Sequence, residues 1–496
     1  MRTKNGARAA SSVSTGCSRL RSTIGAAAER TAACFSRATA TESNRCITAA
    51  PALREYFTFQ NIFSDLTLFD GIRLLPPGCT LTIDASAGES IVQRRYWQYP
   101  CHPGSGRMSA DEASDEVFHR FERAVTRQLV SDVPIGAYLS GGMDSASIVA
   151  VVMRDHPRLT TFTQGFDLSS ASGLELAFDE RRSAEFLSNL LKTEHYEMVM
   201  HAGDMEAVLP QLIWHLEDLR VGQCYPNYYV ARLASRFCKV VLSGAGGDEL
   251  FGGYPWRYHR GIHSTDRESF LAEYYQSWQR LVPDEDAPLL FTTEMSRGMN
   301  GHAFAAFRAV FDGWTGDFKT PDDHLNASLF FEFKTFLHGL LVVEDKLSMA
   351  HGLETRVPFL DDDLVDFALQ VPASLKLRAA GAQPAVDENE PGKRQLYEMQ
   401  RNDGKMVLRS AMARLIPTSI TERAKQGFSA PDASWFRGES IDYIKTLLGD
   451  PRARIYEYLQ PSYVHGKLDD HTSGRANRRL FIWSLLSFEW WLRRFC

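Results

Sequence analysis

Segments typical of buried strands alternate with segments typical of helices through the middle of this chain. The strand-like runs are short and apolar, whereas the helix-like segments repeat apolar positions every three or four residues. The predicted strands lie at 133–139, at 159–166, around 195–200 and in KVVLSG (239–244). The predicted helices lie at 145–155, 179–192 and 226–237. This alternation predicts an α/β fold with a doubly wound parallel sheet, whose ligands bind at the carboxyl ends of the strands.

The first strand leads into Ser-Gly-Gly-Met-Asp-Ser at 140–145, directly before a helix. Glycines let backbone N–H groups approach an anion, and the helix N-terminus adds the positive end of its dipole. The loop contains no lysine but does contain Asp144, which faces a phosphate only across a cation. The loop therefore predicts a site for Mg²⁺-pyrophosphate as a leaving group; a tight turn before a serine-rich helix is the plain alternative.

A second loop of the same kind follows the last predicted strand, in VVLSGAGGDELFGGY at 240–254. It again presents a Ser-Gly turn and then an acid, Asp248. Two strand ends of this type can close on one triphosphate from both sides, with Asp144 and Asp248 sharing a Mg²⁺. A glycine-rich hairpin with solvated acids would explain one such loop more easily than two.

Two later stretches contain charged residues that could belong to the same site. In EDKLSMAHGLETRVPFLD, from 344 to 361, Glu354, Arg356 and Asp361 suggest paired charges at a site wall, although such pairs equally well tie helices together. Lys405 and Lys425 lie in the stretch 404–431, and one lysine beside a triphosphate can stabilise charge in the transition state. A solvated surface is the ordinary explanation for a lone lysine.

The rest of the chain suggests an organisation in segments. Residues 1–50 are rich in Arg, Ala and Ser and are expected to be disordered, either as a transit peptide or as a non-native leader. Short apolar runs broken by Asp-Gly and Pro-Pro-Gly predict strands between 52 and 100, in a part too small to fold without a neighbour. Ser109 is expected to cap a helix, and helical periodicity dominates after 255 apart from a polar interval at 379–393, a possible lid.

Composition excludes several classes of protein. The net charge of −6 gives no electrostatic reason to expect a nucleic acid or an anionic membrane as a partner. No run of eighteen apolar residues occurs, and the apolar C-terminus is broken by charges and predicts a docked helix. The eight cysteines show neither a CxxC pair nor a disulfide framework, which favours a reducing cytoplasm.

The motifs SGGMDS, LSGAGGDELFGGY, LETRVPFLD and KQGF-x-x-P, in this order and spacing, resemble the synthetase domain of the glutamine-hydrolysing asparagine synthetases. The resemblance covers 108–496, and the earlier piece FDGIRLLPPGCTLTI…YW, within 51–104, looks like the tail of their N-terminal glutaminase domain. It implies a sheet of the adenine-nucleotide alpha-hydrolase (PP-loop) type with a helical C-terminal extension. It also implies adenylation of the aspartate side chain by ATP, release of pyrophosphate and displacement of AMP by ammonia.

The resemblance assigns roles residue by residue. Asp144 and Asp248 would hold Mg²⁺, and Lys425, Asp248, Glu354 and Arg356 would act in catalysis. The residues that would bind ATP are Leu139, Ser140, Gly141, Gly142, Asp144, Ser145, Gln164, Ser243 and Gly244. The implied partners are aspartate and either ammonia or glutamine through a separate glutaminase, and a homodimer is compatible with the family.

Two departures from the family leave alternatives open. The family places a nucleophilic cysteine directly after Met1, whereas Arg2 stands here, so this chain is expected not to hydrolyse glutamine by itself. Many asparagine synthetases carry glutamate at the position of Ala245, and relatives that close lactam rings also vary there. An amidotransferase acting on another carboxylate, of a peptide or a surface sugar acid, and an inactive homologue acting as a binding protein are therefore the alternatives.

Overall fold

The sheet expected from the middle of the chain is present in the computed structural model, which describes residues 50–84, 90–99, 108–172, 175–176, 178–258, 260–297, 299–378, 404–423 and 430–496. The leader up to 49, the interval 379–393 and Lys425 lie outside the described residues. The chain forms two units, Met1–Cys46 with Cys496 and Ile47–Phe495, and every helix and strand given below lies in the second.

The strands are β1 (Cys79–Asp84), β2 (Ser90–Arg95), β3 (Ile135–Tyr138), β4 (Thr160–Phe166), β5 (Glu194–Met200), β6 (Val240–Leu242) and β7 (Glu354–Arg356). The helices up to β7 are α1 (Ala50–Phe59), α2 (Ala110–Gln128), α3 (Met143–Asp155), α4 (Arg181–Leu191), α5 (Ala202–Leu216), α6 (Tyr225–Ala234), α7 (Gly247–Phe251), α8 (Pro255–Tyr258), α9 (Arg267–Trp278), α10 (Ala287–Leu290), α11 (Thr293–Ser296), α12 (His302–Val310), α13 (Pro321–Lys334) and α14 (Phe336–Met349). The later helices are α15 (Asp362–Gln370), α16 (Ala373–Lys376), α17 (Met406–Met412), α18 (Thr418–Thr421), α19 (Asp432–Trp435), α20 (Ile441–Leu448), α21 (Pro461–Thr472) and α22 (Arg479–Phe495).

Strands β3 to β7 form one parallel sheet in the order β5-β4-β3-β6-β7. The chain runs outward from β3 through β4 to β5 and then returns to place β6 on the other side of β3. The order of the strands therefore reverses between β3 and β6, and such a reversal opens a crevice at the carboxyl ends of the two strands. Both Ser-Gly loops follow these two strands, as predicted.

Helices cover both faces of this sheet. Val241 packs with Val230 and Ala234 of α6, whereas the next residue, Leu242, packs with a core formed by α2, α3 and α15. Successive side chains of a strand point to opposite faces, so a continuous apolar run is what a strand buried on both faces requires. This explains why the short run at 240–242 is apolar at every position.

The long helix before β3 starts where the sequence predicts. Ser109 Oγ accepts a hydrogen bond from the backbone N–H of Glu112 (3.2 Å), and Glu112 Oε2 accepts one from the backbone N–H of Ser109 (3.1 Å). This reciprocal capping box satisfies two backbone donors that the first turn leaves without helical partners. It fixes the start of α2, whose apolar face covers the sheet.

One strand lies in the part after residue 255, where helical periodicity dominates and no strand was predicted. Residues Glu354–Arg356 form β7, which pairs with β6 and completes the edge of the sheet. A strand of three residues is too short to show period-two alternation. Its existence depends on backbone hydrogen bonds to a partner more than a hundred residues earlier in the chain, which local sequence does not reveal.

The prediction of strands from 52 is also wrong at its beginning, because α1 occupies Ala50–Phe59. Its apolar residues are buried on all sides, and the ring of Phe57 contacts Phe291, Phe481 and Phe488. An apolar run buried all round carries no periodicity that separates helix from strand, so tertiary packing decided the conformation. The strands predicted further on are confirmed as the antiparallel hairpin β1–β2.

The second half of the described chain is mainly helical, with an aromatic core. Phe270, Tyr274, Phe307, Phe311 and Phe331 are buried against one another between α9, α12 and α13. The predicted C-terminal helix is confirmed as α22, whose tryptophans at 483 and 491 are buried. Among the described residues no helix is both long and apolar enough to cross a membrane.

Candidate active site

The first Ser-Gly loop joins β3 to α3 and is held by its own serines. The backbone N–H of Ser140 donates to Ser145 Oγ (3.1 Å), and the backbone N–H of Gly142 donates to Ser140 Oγ (3.2 Å). Leu139 extends β3 through a hydrogen bond from its N–H to the carbonyl of Phe162 (2.9 Å). The serine side chains thus shape the loop, in which Gly142 stands at the N-cap of α3.

The glycines of this loop serve two different needs. Gly142 offers no side chain to cap α3, so the amide groups of the first turn remain available to an anion. Gly141 is required by close packing, because a Cβ there would lie 2.5 Å from Ser183 Cβ and 3.0 Å from a guanidinium nitrogen of Arg423. Arg423 also donates to the carbonyl of Gly141 (3.2 Å) and so places a cation beside the loop.

The second Ser-Gly loop, between β6 and α7, packs directly against the first. A Cβ on Gly244 would lie 3.2 Å from Asp144 Cβ, and one on Gly247 would lie 3.0 Å from Asp144 Cγ. A side chain at either position would therefore crowd Asp144. The convergence of the two strand ends, expected from the sequence, is a feature of the structure.

Lys405 joins the acids of the two loops. Its Nζ lies 2.6 Å from Oδ2 of Asp144 and 2.6 Å from Oδ1 of Asp248, and the three side chains are between 6 and 14% exposed. The backbone of Lys405 is tethered to α7 through its N–H and the carbonyl of Phe251 (3.1 Å), and it has a positive φ of 59°. Because a positive φ costs free energy for a residue other than glycine, contacts with the surrounding residues must stabilise it.

The same carboxylates fit the Mg²⁺ that the family implies. Both face one cation, and Oδ1 of Asp144 is buried without a hydrogen-bond partner among the described residues. Mg²⁺ is commonly held by one or two carboxylates together with phosphate oxygens and water. The described residues contain no cluster of three or more His, Cys, Asp or Glu side chains that could bind a metal alone. Such a cation would therefore share its coordination with a phosphorylated ligand.

Beneath the second loop lies a carboxyl group that the sequence did not single out. Glu249 is 3% exposed and accepts a hydrogen bond from the hydroxyl of Tyr254 (3.1 Å). Burial, together with the neighbouring charge of Asp248, raises the pKa of Glu249 to about 7. The negative charge of this region is thus concentrated on the aspartates that face Lys405.

Ser243 and Ala245 begin the second loop. The N–H of Ala245 donates to Ser243 Oγ (3.3 Å). Burial raises the pKa of Glu344 in α14, and Ser243 opposes this shift. The backbone N–H of Ser243 donates to the carbonyl of Arg356 (2.8 Å), which joins the loop to β7. Glu344 opens the 344–361 stretch, but nothing in its sequence context distinguished it from its neighbours.

Other predicted site residues are placed differently. Gln164 lies within β4, opposite Met198 and two residues before the strand ends, and its side chain is partly exposed. Glu354 pairs with Val240 at the start of β6, so it lies towards the amino ends of the strands, and its side chain is 59% exposed.

The Arg356 side chain binds Glu354 and donates to the carbonyls of Gln128 (2.6 Å) and Val130 (2.9 Å) at the end of α2. This arrangement favours the interpretation that the Glu354–Arg356 pair ties elements of the fold together rather than lining a site. Asp361 caps α15 and binds Arg127. The geometry therefore does not bring the side chains of Glu354 and Arg356 to the loops, and their catalytic role stays a prediction without geometric support.

Comparisons with known proteins show which family the chain resembles. The family model described as asparagine synthase matches residues 116–493. A protein of Mycobacterium tuberculosis (strain H37Rv) named "Putative asparagine synthetase", glutamine-hydrolysing, is 29% identical over 89% of this chain and 67% of its own length. Asparagine synthetase 1 of Bacillus subtilis, also glutamine-hydrolysing, is 27% identical over 89% of this chain and 68% of its own length.

A protein of Gibberella zeae named amidase chry2 is 25% identical over 77% of this chain and 62% of its own length. The chain thus spans about two thirds of the length of the relatives that it matches. Since the family model covers most of the chain, including both loops and the lysine between them, the chain belongs to the asparagine synthase family.

Proposed function

We propose that this protein is an ATP-dependent ligase that adenylates the side-chain carboxylate of aspartate, releases pyrophosphate and transfers ammonia to give asparagine and AMP. The observation that carries the proposal is the convergence of Asp144 and Asp248, from two neighbouring strand ends, on one cation. Family membership supports amide formation driven by ATP. The sheet, with its ligand loops at the β3–β6 crevice, is compatible with the PP-loop type.

In this proposal the first loop binds the phosphates of ATP through the backbone N–H groups at the start of α3, with Ser140 and Ser145 shaping the loop. Leu139, Gly141, Gly142, Ser243 and Gly244 border the same nucleotide site, and Gln164 would lie towards adenine. When bound, Mg²⁺ would supply positive charge against the departing pyrophosphate. Asp144 and Asp248 would hold it and orient the pyrophosphate end of ATP.

Lys405 supplies the positive charge between the two acids in the structure. A cation entering between the carboxylates would free its ammonium group to turn towards a phosphate oxygen, where it would stabilise negative charge. Lys425, the other lysine of this stretch, lies outside the described residues, and its role beside the reacting phosphate stays a prediction.

The test is pyrophosphate release from Mg²⁺-ATP with L-aspartate alone, with ammonium added and with glutamine added. Asparagine formed with ammonium but not with glutamine would support a synthetase that takes its ammonia from solution or from a separate glutaminase. The glutaminase origin of 51–104 and a cytoplasmic location also remain proposals. If folded protein that binds ATP releases no pyrophosphate with aspartate, aspartate is not the substrate.

We expect Asp144→Asn to lower pyrophosphate release at least about 100-fold, because one carboxylate beside the metal is lost. Asp155→Asn is the matched control, since Asp155 ends the same helix at an exposed position. Equal rates in the two variants would contradict the assigned role of Asp144.

A second candidate function is amidation of a carboxylate other than that of aspartate. Ala245 favours it, since the loop lacks the carboxylate that many asparagine synthetases place there, and one relative carries the name amidase. Pyrophosphate release with a carboxylic acid from a peptide or sugar-acid panel, and not with aspartate, would establish this alternative.

A further inference from the structure

Arg423 is a cation beside the first Ser-Gly loop that no carboxylate in the described part of the chain neutralises. It follows α18, and its Nη1 donates to the carbonyl of Gly141 (3.2 Å) and to the hydroxyl of Ser183 in α4 (2.7 Å). A guanidinium has further N–H groups on Nε and Nη2, and these donate to no described residue. They are therefore available to a ligand.

The backbone of Arg423 is anchored, although its side chain is exposed. Nη1 of Arg409 in α17 donates to the carbonyls of Arg423 (3.1 Å) and Thr421. Nε of the same side chain donates to the carbonyl of Gly404 (2.7 Å), which directly precedes Lys405. One arginine side chain therefore fixes the backbone at Arg423 and beside Lys405.

Lys405 and Arg423 approach the first loop from opposite sides. Lys405 contacts the loop at Asp144, which faces the second loop after β6. Arg423 contacts it at Gly141, which packs against Ser183 of α4, the helix that follows β4. Because β3 lies between β4 and β6, a ligand bound on this loop has positive charge on both sides.

This arrangement favours an anion as the ligand beside Arg423. Two carboxylates compensate the charge of Lys405, whereas the charge of Arg423 remains uncompensated among the described residues. Gly142, at the N-cap of α3, has no side chain to occupy the amide groups of the first turn. A guanidinium can donate two parallel hydrogen bonds to one phosphate group, which a lysine cannot do.

We propose that Arg423 binds the phosphates of ATP that leave as pyrophosphate. The proposal rests on the proposed function, for which it identifies a further phosphate-binding residue. Nε and Nη2 would donate to the phosphate oxygens, while the bonds of Nη1 to Gly141 and Ser183 hold the guanidinium in place. Positive charge at this position stabilises the negative charge that accumulates on pyrophosphate as its bond to the α-phosphate breaks.

Two ligands separate contact with these phosphates from the shape of the nucleotide site. Isothermal titration calorimetry measures the affinity for Mg²⁺-ATP and, separately, for AMP, which lacks the phosphates in question. We expect Arg423→Met to weaken ATP binding at least about tenfold and to keep the affinity for AMP within about threefold of wild type. A purely structural role would instead weaken the binding of both ligands equally and lower the melting temperature of the free protein.

Two further variants serve as controls. Arg423→Lys keeps the positive charge, so it should bind ATP at least about threefold more tightly than Arg423→Met does, although it loses the paired hydrogen bonds. Arg452→Met, at an arginine whose side chain is 89% exposed, should change neither affinity.

The outcomes distinguish this inference from the function on which it rests. An unchanged ATP affinity in Arg423→Met, or equal losses of ATP and AMP affinity, would overturn the role of Arg423 and leave the ligase proposal standing. An Arg423→Lys variant that binds ATP no better than Arg423→Met would also overturn it. Folded wild-type protein that does not bind Mg²⁺-ATP would overturn both proposals.

Discussion

At the scale of residues, two aspartates and one lysine form the charged cluster of the candidate site. Asp144 and Asp248 would repel each other in a site where each side chain is less than 15% exposed, and Lys405 compensates both. The motif order in the sequence predicted the aspartates. The residue pattern did not separate Lys405 from Lys425, and the family resemblance favoured Lys425 as the catalytic lysine. Only the tertiary structure shows Lys405 between the acids.

Lys405→Met should lower the free energy of unfolding by about 3 kcal/mol, because it leaves two buried carboxylates without their cation. Millimolar Mg²⁺ should restore part of this loss, since the metal can take the place of the ammonium group. Chemical denaturation with and without Mg²⁺ measures both effects. Lys319→Met, at a lysine whose side chain is 75% exposed, is the control. A Lys405→Met variant as stable as wild type would contradict the role of Lys405 in neutralising the two carboxylates.

At the scale of elements, the site depends on the approach of two loops that follow β3 and β6. The approach is possible because Gly244 and Gly247 have no side chain towards Asp144. The sequence predicted the loops and the phosphate-binding role of their glycines. It did not show that these two glycines lie against Asp144, because that contact depends on the register of β3 beside β6.

Gly247→Ala should weaken ATP binding at least about tenfold, because its Cβ would lie 3.0 Å from Asp144 Cγ and displace the carboxylate from the loop. Isothermal titration calorimetry with Mg²⁺-ATP measures the change. Gly203→Ala serves as the control, since a Cβ at Gly203 in α5 meets no atom within 4 Å. An unchanged ATP affinity in Gly247→Ala would show that ATP binding does not require glycine at this position.

At the scale of the whole molecule, helices after 255 bury charged groups against elements from the first half of the chain. Asp432 of α19 is fully buried and accepts a hydrogen bond from the hydroxyl of Tyr225 (3.1 Å) in α6. Burial raises the pKa of Asp432 to about 7, from 3.8. A group whose pKa is raised by folding makes stability depend on pH.

Asp432 should make the free energy of unfolding fall as pH rises from about 4 to 7. In that window the folded protein keeps the proton on Asp432, while the unfolded chain has lost it. Asp432→Asn removes this contribution, so its stability relative to wild type should rise across the window by about 3 kcal/mol. Denaturant titrations at several pH values measure the difference. Asp366→Asn, at an exposed position in α15, should show no such trend.

The sequence by itself determined the alternation of strands and helices, the two Ser-Gly loops and the family. Each of these depends on residues close together in the chain, whose spacing reports local geometry and whose chemistry is fixed by residue type.

The tertiary structure alone decided the helical state of Ala50–Phe59, the strand β7 and the lysine between the aspartates. Each of these depends on contacts between residues distant in the chain, and such contacts become favourable only when burial compensates the entropy of bringing distant segments together.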